Sequence, residues 1–348
     1  MIVNGIWRIF RHPPIVPEER LPRVRILFTS TLETSFIKED LRLLRRHFAV
    51  DHIITDGFRA PLQILRHIIR ADVTYTWFAS VYAFAVVFLA KITRRKSIVV
   101  IGGVDVSKYP EIHYGIWLTP WKAMLVKWTM RHAYRILAVD ASLKMEAARL
   151  ARYEGKNIRT IPTGYDPAVW FPGGEKAPFV LTVAACENEW RLKKKGIDIL
   201  FEAARRLPEI DFVVIGILHT LLQRASQLAP PNVEIIPFAE QRELLFQYQK
   251  AKVYCQPSFT EGLPNSLCEA MLCECVPVGT SVGGIPTAID ETGFLVPYGD
   301  APCLADAIKA ALATPPEAGK PCRERIANLF PLTRREEELV SVLESAVR

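Results

Sequence analysis

What the chain has little of narrows it first. Among 348 residues there are only seven cysteines, Cys186, Cys255, Cys268, Cys273, Cys275, Cys303 and Cys322. Their number is odd, all lie in the second half, and only Cys273 and Cys275 sit close together. This excludes a disulfide scaffold and fits free thiols in a reducing compartment. With no second cluster at ligand spacing, no zinc site is expected. A secretory leader is not expected either, because Met1 to Arg8 offers neither a long apolar core nor a small-residue cleavage site. Uncharged runs are also scarce. The longest of note, Val73–Ala90, has 18 residues and is followed by Lys91, Arg94, Arg95 and Lys96. That is at the lower limit for a membrane span with a basic flank. Ser80 and Tyr82 dilute it, so it reads as a short strand, Val73–Thr76, and a buried helix over about Ala79–Ile92. A helix partly sunk in a membrane surface is the competing reading.

Acidic residues are sparse in the first half. Residues 1–170 hold 26 Lys and Arg against 14 Asp and Glu, a net of +12, whereas the remainder holds 18 against 23, a net of −5. The first half therefore suits an anionic surface or substrate, although ordinary solubilising charge gives the same count. Nucleic acid is not an expected partner. The basic residues form no known reading module, and no aromatics interleave with them as a stacking platform.

What is present is a globular composition, 50% hydrophobic and 23% charged, in a chain long enough for two domains. Residues 1–20 are rich in Pro, Arg and aromatics and read as irregular. Buried strands are predicted at Val24–Phe28, Val50–Ile54, Val73–Thr76, Ser97–Ile101, Ile136–Val139 and Ile158–Ile161, with helical stretches between them. Asp166–Ala177, with two Pro and two Gly, reads as a linker. A second strand–helix series follows, with strands at Phe179–Val183, Asp211–Ile215, Val233–Ile236, Val253–Gln256, Val276–Gly279 and Gly293–Val296. Arg334–Val347 closes the chain as a helix. Repeated units of this kind predict two doubly wound parallel sheets whose ligand sites lie at the strands' carboxyl ends, facing a shared cleft.

The chemistry concentrates in one stretch, Glu261-Gly262-Leu263-Pro264-Asn265-Ser266-Leu267-Cys268-Glu269. Glu261 falls in a loop at a strand end. Asn265 or Ser266 is placed to cap the next helix, and the free amides at its start make Leu263, Pro264, Asn265, Ser266 and Leu267 the stretch suited to a diphosphate, Pro264 itself donating none. Glu261 would then accept sugar hydroxyls and Glu269 a ribose. An ordinary capped helix with Glu near its favourable end reads the same way. Gly216 ends a strand. Gly283 and Gly284 permit close backbone approach to a ligand or a tight turn. Arg191-Leu192-Lys193-Lys194-Lys195-Gly196 lies between a strand and a helix, where cations could neutralise a departing phosphate; three successive lysines cannot all face one cleft. Asp105, after Gly102-Gly103, lies at a strand end of the first half.

Glu261 and Glu269, with Ala270-Met271, Pro277-Val278, Val282-Gly283-Gly284-Ile285-Pro286 and Gly293-Phe294-Leu295-Val296, resemble the paired-glutamate motif and flanks of the retaining glycosyltransferase family 4. Lys195-Gly196-Ile197-Asp198 resembles that family's lysine–glycine signature, and Ile161-Pro162-Thr163-Gly164-Tyr165-Asp166 its interdomain segment. The resemblance covers roughly residues 158–300; before that it holds only in outline. It implies the GT-B fold, an α/β architecture of two Rossmann-like domains facing a cleft. Residues 1–170 would shape the acceptor side, 171–330 would bind the nucleotide sugar, and 331–348 would form a helix returning to the first domain. It also implies a UDP-, GDP- or ADP-sugar donor, retention of anomeric configuration, and no metal or other cofactor. Glu269 would hold the ribose, Glu261 the transferred sugar, and Lys195 the β-phosphate. The acceptor would be a glycan, a lipid-linked sugar or a small molecule, and the setting cytoplasmic, with peripheral attachment to an anionic membrane face allowed by the basic first half. Three features depart from the pattern. Ala184-Ala185 stand where the family carries an arginine, leaving Arg191, Lys193 or Lys194 to substitute. Thr29–Ser35 replaces a glycine-rich first loop. No histidine follows Gly102-Gly103, which leaves Asp105 as that loop's candidate. A noncatalytic glycan- or membrane-binding protein and a nucleotide-sugar epimerase are the rival readings.

Overall fold

The computed structural model describes residues 24–57 and 59–347; the irregular segment expected at 1–20 lies outside them. The first domain runs β1 (Arg25–Ser30), α1 (Ser35–Leu44), β2 (Ala49–Ile54), α2 (Ala60–Ile68), β3 (Val73–Trp77), α3 (Val81–Ile92), β4 (Lys96–Ile101), α4 (Pro120–His132), β5 (Arg135–Ala138), α5 (Ala141–Ala151) and β6 (Ile158–Thr160). Its strands form one parallel sheet in the order β2-β1-β3-β4-β5-β6. Every residue of β3 is buried, as a central strand covered on both faces must be. The crossovers β2→β3, β3→β4 and β4→β5 all move the same way along the sheet. With right-handed connections, α2, α3 and α4 therefore lie on one face, while α1, which joins β1 to β2 in the opposite sense, lies on the other.

The second domain comprises β7 (Ala177–Cys186), α6 (Glu189–Lys194), α7 (Ile197–Arg205), β8 (Phe212–Ile217), α8 (His219–Leu228), β9 (Val233–Ile236), α9 (Gln241–Lys250), β10 (Ala251–Gln256), α10 (Asn265–Leu272), β11 (Val276–Thr280), α11 (Ile285–Ile289), β12 (Phe294–Val296), α12 (Ala301–Ala313) and α13 (Gly319–Leu329). Its parallel sheet is ordered β12-β11-β10-β7-β8-β9. Winding reverses between β7 and β10, so the loops after these two strands flank a crevice at their carboxyl ends.

The final helix, α14 (Leu332–Val347), packs against α1, β3 and β4 of the first domain. A buried ion pair fastens it. Arg335 donates from Nε and Nη2 to Asp40 at 2.6 and 2.7 Å, and from Nη1 to the carbonyls of Ile161 and Pro162 at 3.0 and 2.8 Å. The Tyr75 hydroxyl and the Trp77 indole N–H also donate to Asp40, at 2.7 and 2.9 Å. Asp40 occupies the buried face of α1 beside Ile37, Leu41 and Leu44, so its charge is tolerated only because it is fully paired.

Three expectations are corrected. The basic run at 191–196, expected between a strand and a helix, adds a helix of its own there: Asn188 accepts from the Arg191 amide and starts the short helix α6, which Lys195 and the left-handed Gly196 end. Neither Asn265 nor Ser266 caps α10. Pro264 holds the cap position and Asn265 is the first helical residue, because proline already sets the backbone angle an entering chain needs. Helix α3 is buried on one face only, leaving Phe88 and Ile92 exposed. No helix among the described residues is long and apolar enough to cross a membrane.

Arg335→Met is expected to lower the unfolding free energy by about 3–5 kcal/mol, since it leaves the Asp40 charge buried and unpaired. The double change Asp40→Asn with Arg335→Met should recover part of that loss in urea titrations. A loss below about 1 kcal/mol for the single change would show that α14 is held by apolar packing alone.

Candidate active site

The reversal between β7 and β10 has a direct chemical result. It brings the basic residues following β7 against Glu261 in the loop following β10, 66 residues away. Lys195 Nζ lies 2.6 Å from Glu261 Oε1 and Lys194 Nζ 3.6 Å from Oε2. The Ser258 hydroxyl donates to the same carboxylate at 3.0 Å, and the Gln256 amide lies 3.5 Å away. The Glu261 side chain is only 9% exposed. Burial alone would raise its pKa, but the two lysine charges and the hydrogen bonds outweigh it and hold the carboxyl at about 2. Glu261 is therefore an ionised hydrogen-bond acceptor at neutral pH. Lys193 points to solvent, so two of the three successive lysines reach the crevice.

Glycines shape the loop that carries Glu261. At Gly196 and Gly283, both with positive φ, a Cβ would strike the carbonyl oxygens of Pro257 and Glu261 respectively; at Gly284 it would strike that of Gly262. The Gly284 amide donates to the Gly262 carbonyl at 2.9 Å. Gly283 and Gly284 thus meet the protein's own backbone and brace the Glu261 loop. Gly216 packs on β7, where a Cβ would sit 2.6 Å from the Ala184 carbonyl oxygen.

Glu269 stands on the second turn of α10 and lines a cavity of about 570 Å³ between the domains. Phe36 and Arg42 of α1, Thr163–Asp166, Trp170, Gln241, Leu244 and Asn265 complete much of its wall. Burial pushes the Glu269 carboxyl up to about 7, only partly opposed by the hydroxyl of Tyr248, which donates at 3.3 Å. Asn265 Oδ1 accepts from the hydroxyls of Tyr165 at 2.8 Å and Thr163 at 3.3 Å, tying the interdomain segment to the start of α10. Leu263 and Leu267 are buried, and Ser266 Oγ lies 3.5 Å from Gln256 Oε1.

The first domain closes on this site through the segment after β4. Tyr109 meets Phe259 edge-on at 5.1 Å, Tyr114 stacks on Trp190 at 5.3 Å, and Lys194 lies 4.8 Å over the Tyr114 ring. Asp105 holds this segment in place. It is 1% exposed, and its oxygens accept from the amides of Ala79, Gly102 and Gly103 at 3.0, 3.2 and 2.9 Å. Burial still lifts its pKa to about 6. Its carboxylate is occupied by backbone amides and buried, so it positions the loop. Arg191 does not reach Glu261. It lies along Ala185 and Glu187 and over Trp190, and its Nε has no partner among the described residues.

The structure therefore unites Glu261, Lys194 and Lys195, sets Glu269 and Asn265 in the wall of the interdomain cavity, and leaves Arg191 and Asp105 on supporting contacts. Tyr248, Gln256 and Ser258 escaped the sequence reading. A polar Gln256 ending the largely buried strand 251–256 was the one available signal. No group of three His, Cys, Asp or Glu side chains gathers at metal-binding distance among the described residues.

Residues 178–314 match the family described as "Glycosyl transferases group 1". Over 260 residues the chain is 26% identical to alpha-maltose-1-phosphate synthase of Mycolicibacterium smegmatis, covering 61% of this chain and 66% of that one. Among solved structures, Anabaena HepE in complex with UDP and glucose superposes with a TM-score of 0.77 at 14% identity, over 93% of this chain and all of its own. Sucrose-phosphate synthase from Thermosynechococcus elongatus gives 0.73 at 16% identity, over 93% and 99%. The fold is thus GT-B, two Rossmann-like domains facing a cleft. The matched stretches span 28% to 66% of the length of the curated relatives.

Glu269→Gln is expected to change how stability depends on pH. The folded chain keeps a proton on Glu269 up to about pH 7, whereas the ordinary value is 4.5. Wild-type stability attributable to this group is therefore intact below pH 4.5 and falls as pH rises to 7, by on the order of 3 kcal/mol. The variant should match wild type near pH 4.5 and exceed it at pH 8 in urea titrations. An equal gap at both pH values would remove the assignment.

Proposed function

We propose that this protein is a retaining glycosyltransferase that moves a sugar from a nucleoside-diphosphate sugar to a hydroxyl of a glycan or lipid-linked acceptor. The observation that carries the reading is the ionised Glu261 held between Lys194 and Lys195 at the β7/β10 reversal, with Glu269 on the helix that follows its loop and lining the interdomain cavity. The group 1 match across residues 178–314 and the likeness to a GT-B protein solved with UDP and glucose support it. So does the alpha-maltose-1-phosphate synthase relative, whose name describes the synthesis of a phosphorylated sugar.

In this reading Glu269 accepts the ribose hydroxyls and the first amides of α10 face the diphosphate. Glu261 orients the transferred sugar through its hydroxyls. Lys195, now bound to Glu261, turns to the β-phosphate when the donor enters, and Lys194 adds a second positive charge in place of the absent arginine. The bond from the anomeric carbon to the phosphate oxygen breaks, and its electron pair leaves with the diphosphate. The acceptor oxygen bonds to the same face of that carbon and its proton passes to the departing phosphate. The cations are preplaced where negative charge grows, which is the efficient place for electrostatic catalysis. Glu261 serves here as an orienting acceptor, its oxygens being engaged by Lys194, Lys195 and Ser258, and no role as a hydrolytic base or nucleophile is assigned to it. Seven free cysteines suit a reducing, cytoplasmic setting.

A donor screen with UDP-, GDP- and ADP-sugars, with and without glycan and lipid-linked acceptors, tests the reading by nucleotide release. Acceptor-dependent release is expected. Sugar isomerisation without acceptor would make the protein an epimerase, and donor binding without turnover a noncatalytic binder; either result overturns transfer. Lys195→Ala is expected to lower kcat about 10²- to 10³-fold. Glu269→Ala should weaken donor affinity at least about tenfold by calorimetry, and unchanged affinity would remove the ribose role.

A further inference from the structure

On the face of the first domain opposite α1 and α14, α3 packs between α2 and α4. These three helices carry no Asp or Glu. Each buries one apolar face and presents a second to solvent. In α2, Ile64 and Ile68 are buried, while Leu62, Leu65 and the following Ile69 point outward, spaced at three and four residues. Ile69 is 58% exposed, Ile92 at the end of α3 is 62% exposed, and Met124 of α4 is 65% exposed. Phe84, Phe88 and Trp128 join α3 to α4 through ring contacts of 5.1 to 6.0 Å, so the outward apolar surface is continuous across the two helices. Exposed Arg66, Arg70, Lys91 and Arg94 border it, and none of these pairs with a carboxylate among the described residues.

A solvated helix face has no use for outward Leu, Ile, Met and aromatic side chains together. We infer that the α2–α3–α4 face of the first domain docks on an anionic lipid bilayer, its apolar side chains entering the acyl boundary and its basic border meeting lipid phosphates. Charge complementarity selects this occupant. A second copy would bring the same uncompensated positive border against itself, and nucleic acid would leave the aliphatic side chains unburied. The helices lie along the surface, since none spans a bilayer. Helix α4 continues directly from the segment carrying Tyr109 and Tyr114, which closes on Glu261. A bilayer on this face would therefore lie beside the cleft and favour acceptors tethered to lipid. Docking itself is independent of the transfer reading, and binding is measured without turnover.

Sedimentation with phosphatidylcholine vesicles, and with vesicles containing phosphatidylglycerol, tests it. Wild-type protein should bind the anionic vesicles at low salt, lose binding as salt rises, and bind neutral vesicles at least about tenfold more weakly. Arg66→Gln with Arg70→Gln and Lys91→Gln should weaken anionic binding about tenfold or more. Leu65→Ser with Ile69→Ser and Ile92→Ser should weaken it comparably with charge unchanged, the altered side chains being exposed and the circular dichroism retained. Three results would overturn the inference: no wild-type binding to anionic vesicles at low salt, undiminished binding by both triple variants, or a solution dimer that the apolar variant splits while vesicles bind neither form.

Discussion

A carboxylate trapped between two ammonium groups is the constraint on which the proposed site depends. Glu261 is too buried to remain charged alone, and Lys194 and Lys195 make its charge favourable. The same lysines would be costly neighbours for one another without it. The trio carries a net positive charge in a narrow crevice, so the site holds its acceptor oxygen ready and still attracts an anion. In the proposed reading Lys195 turns from Glu261 as the diphosphate binds, so that reorganisation is complete before charge develops.

That arrangement needs a stiff loop, and the stiffness comes from backbone packed on backbone. Gly196 and Gly283 let neighbouring strand-end loops press against 257–261 at distances no side chain would allow. Gly262 does the same across the cleft, where a Cβ would lie 2.9 Å from the Gly102 carbonyl oxygen. Asp105 fixes the first-domain loop that receives it, and Asn265 ties α10 to the interdomain segment. The Arg335–Asp40 pair anchors the returning helix. The two sheets are thus registered by a few polar pins, with stacked aromatics between them.

The two outer faces of the first domain's sheet solve different problems. The α1 and α14 face hides a charge network and is sealed by its own chain. The α2–α3–α4 face keeps apolar side chains outward with a border of one sign. The basic border belongs to the half of the chain that carries the net positive charge, whereas the family match begins at residue 178.

Alternating buried strands and helices were legible in the sequence because period and β-branched content are local properties, and they carry the two-sheet architecture. The spacing of Glu261 and Glu269 was legible too, as was a helix starting beside them. The sequence by itself did not decide which cation meets Glu261, because Arg191, Lys193, Lys194 and Lys195 are chemically close and adjacent. Only the β7/β10 reversal and the short helix α6 aim Lys194 and Lys195 inward and turn Arg191 toward Ala185. Pro264 displaced Asn265 from the cap, freeing its side chain for Tyr165, a partner 100 residues away. Asp105 looked like a cleft residue until the amides of Ala79, Gly102 and Gly103 were brought around it. Composition and period determine elements because each residue carries them alone. Pairings across the fold depend on strand order, and strand order is settled only when the whole sheet assembles.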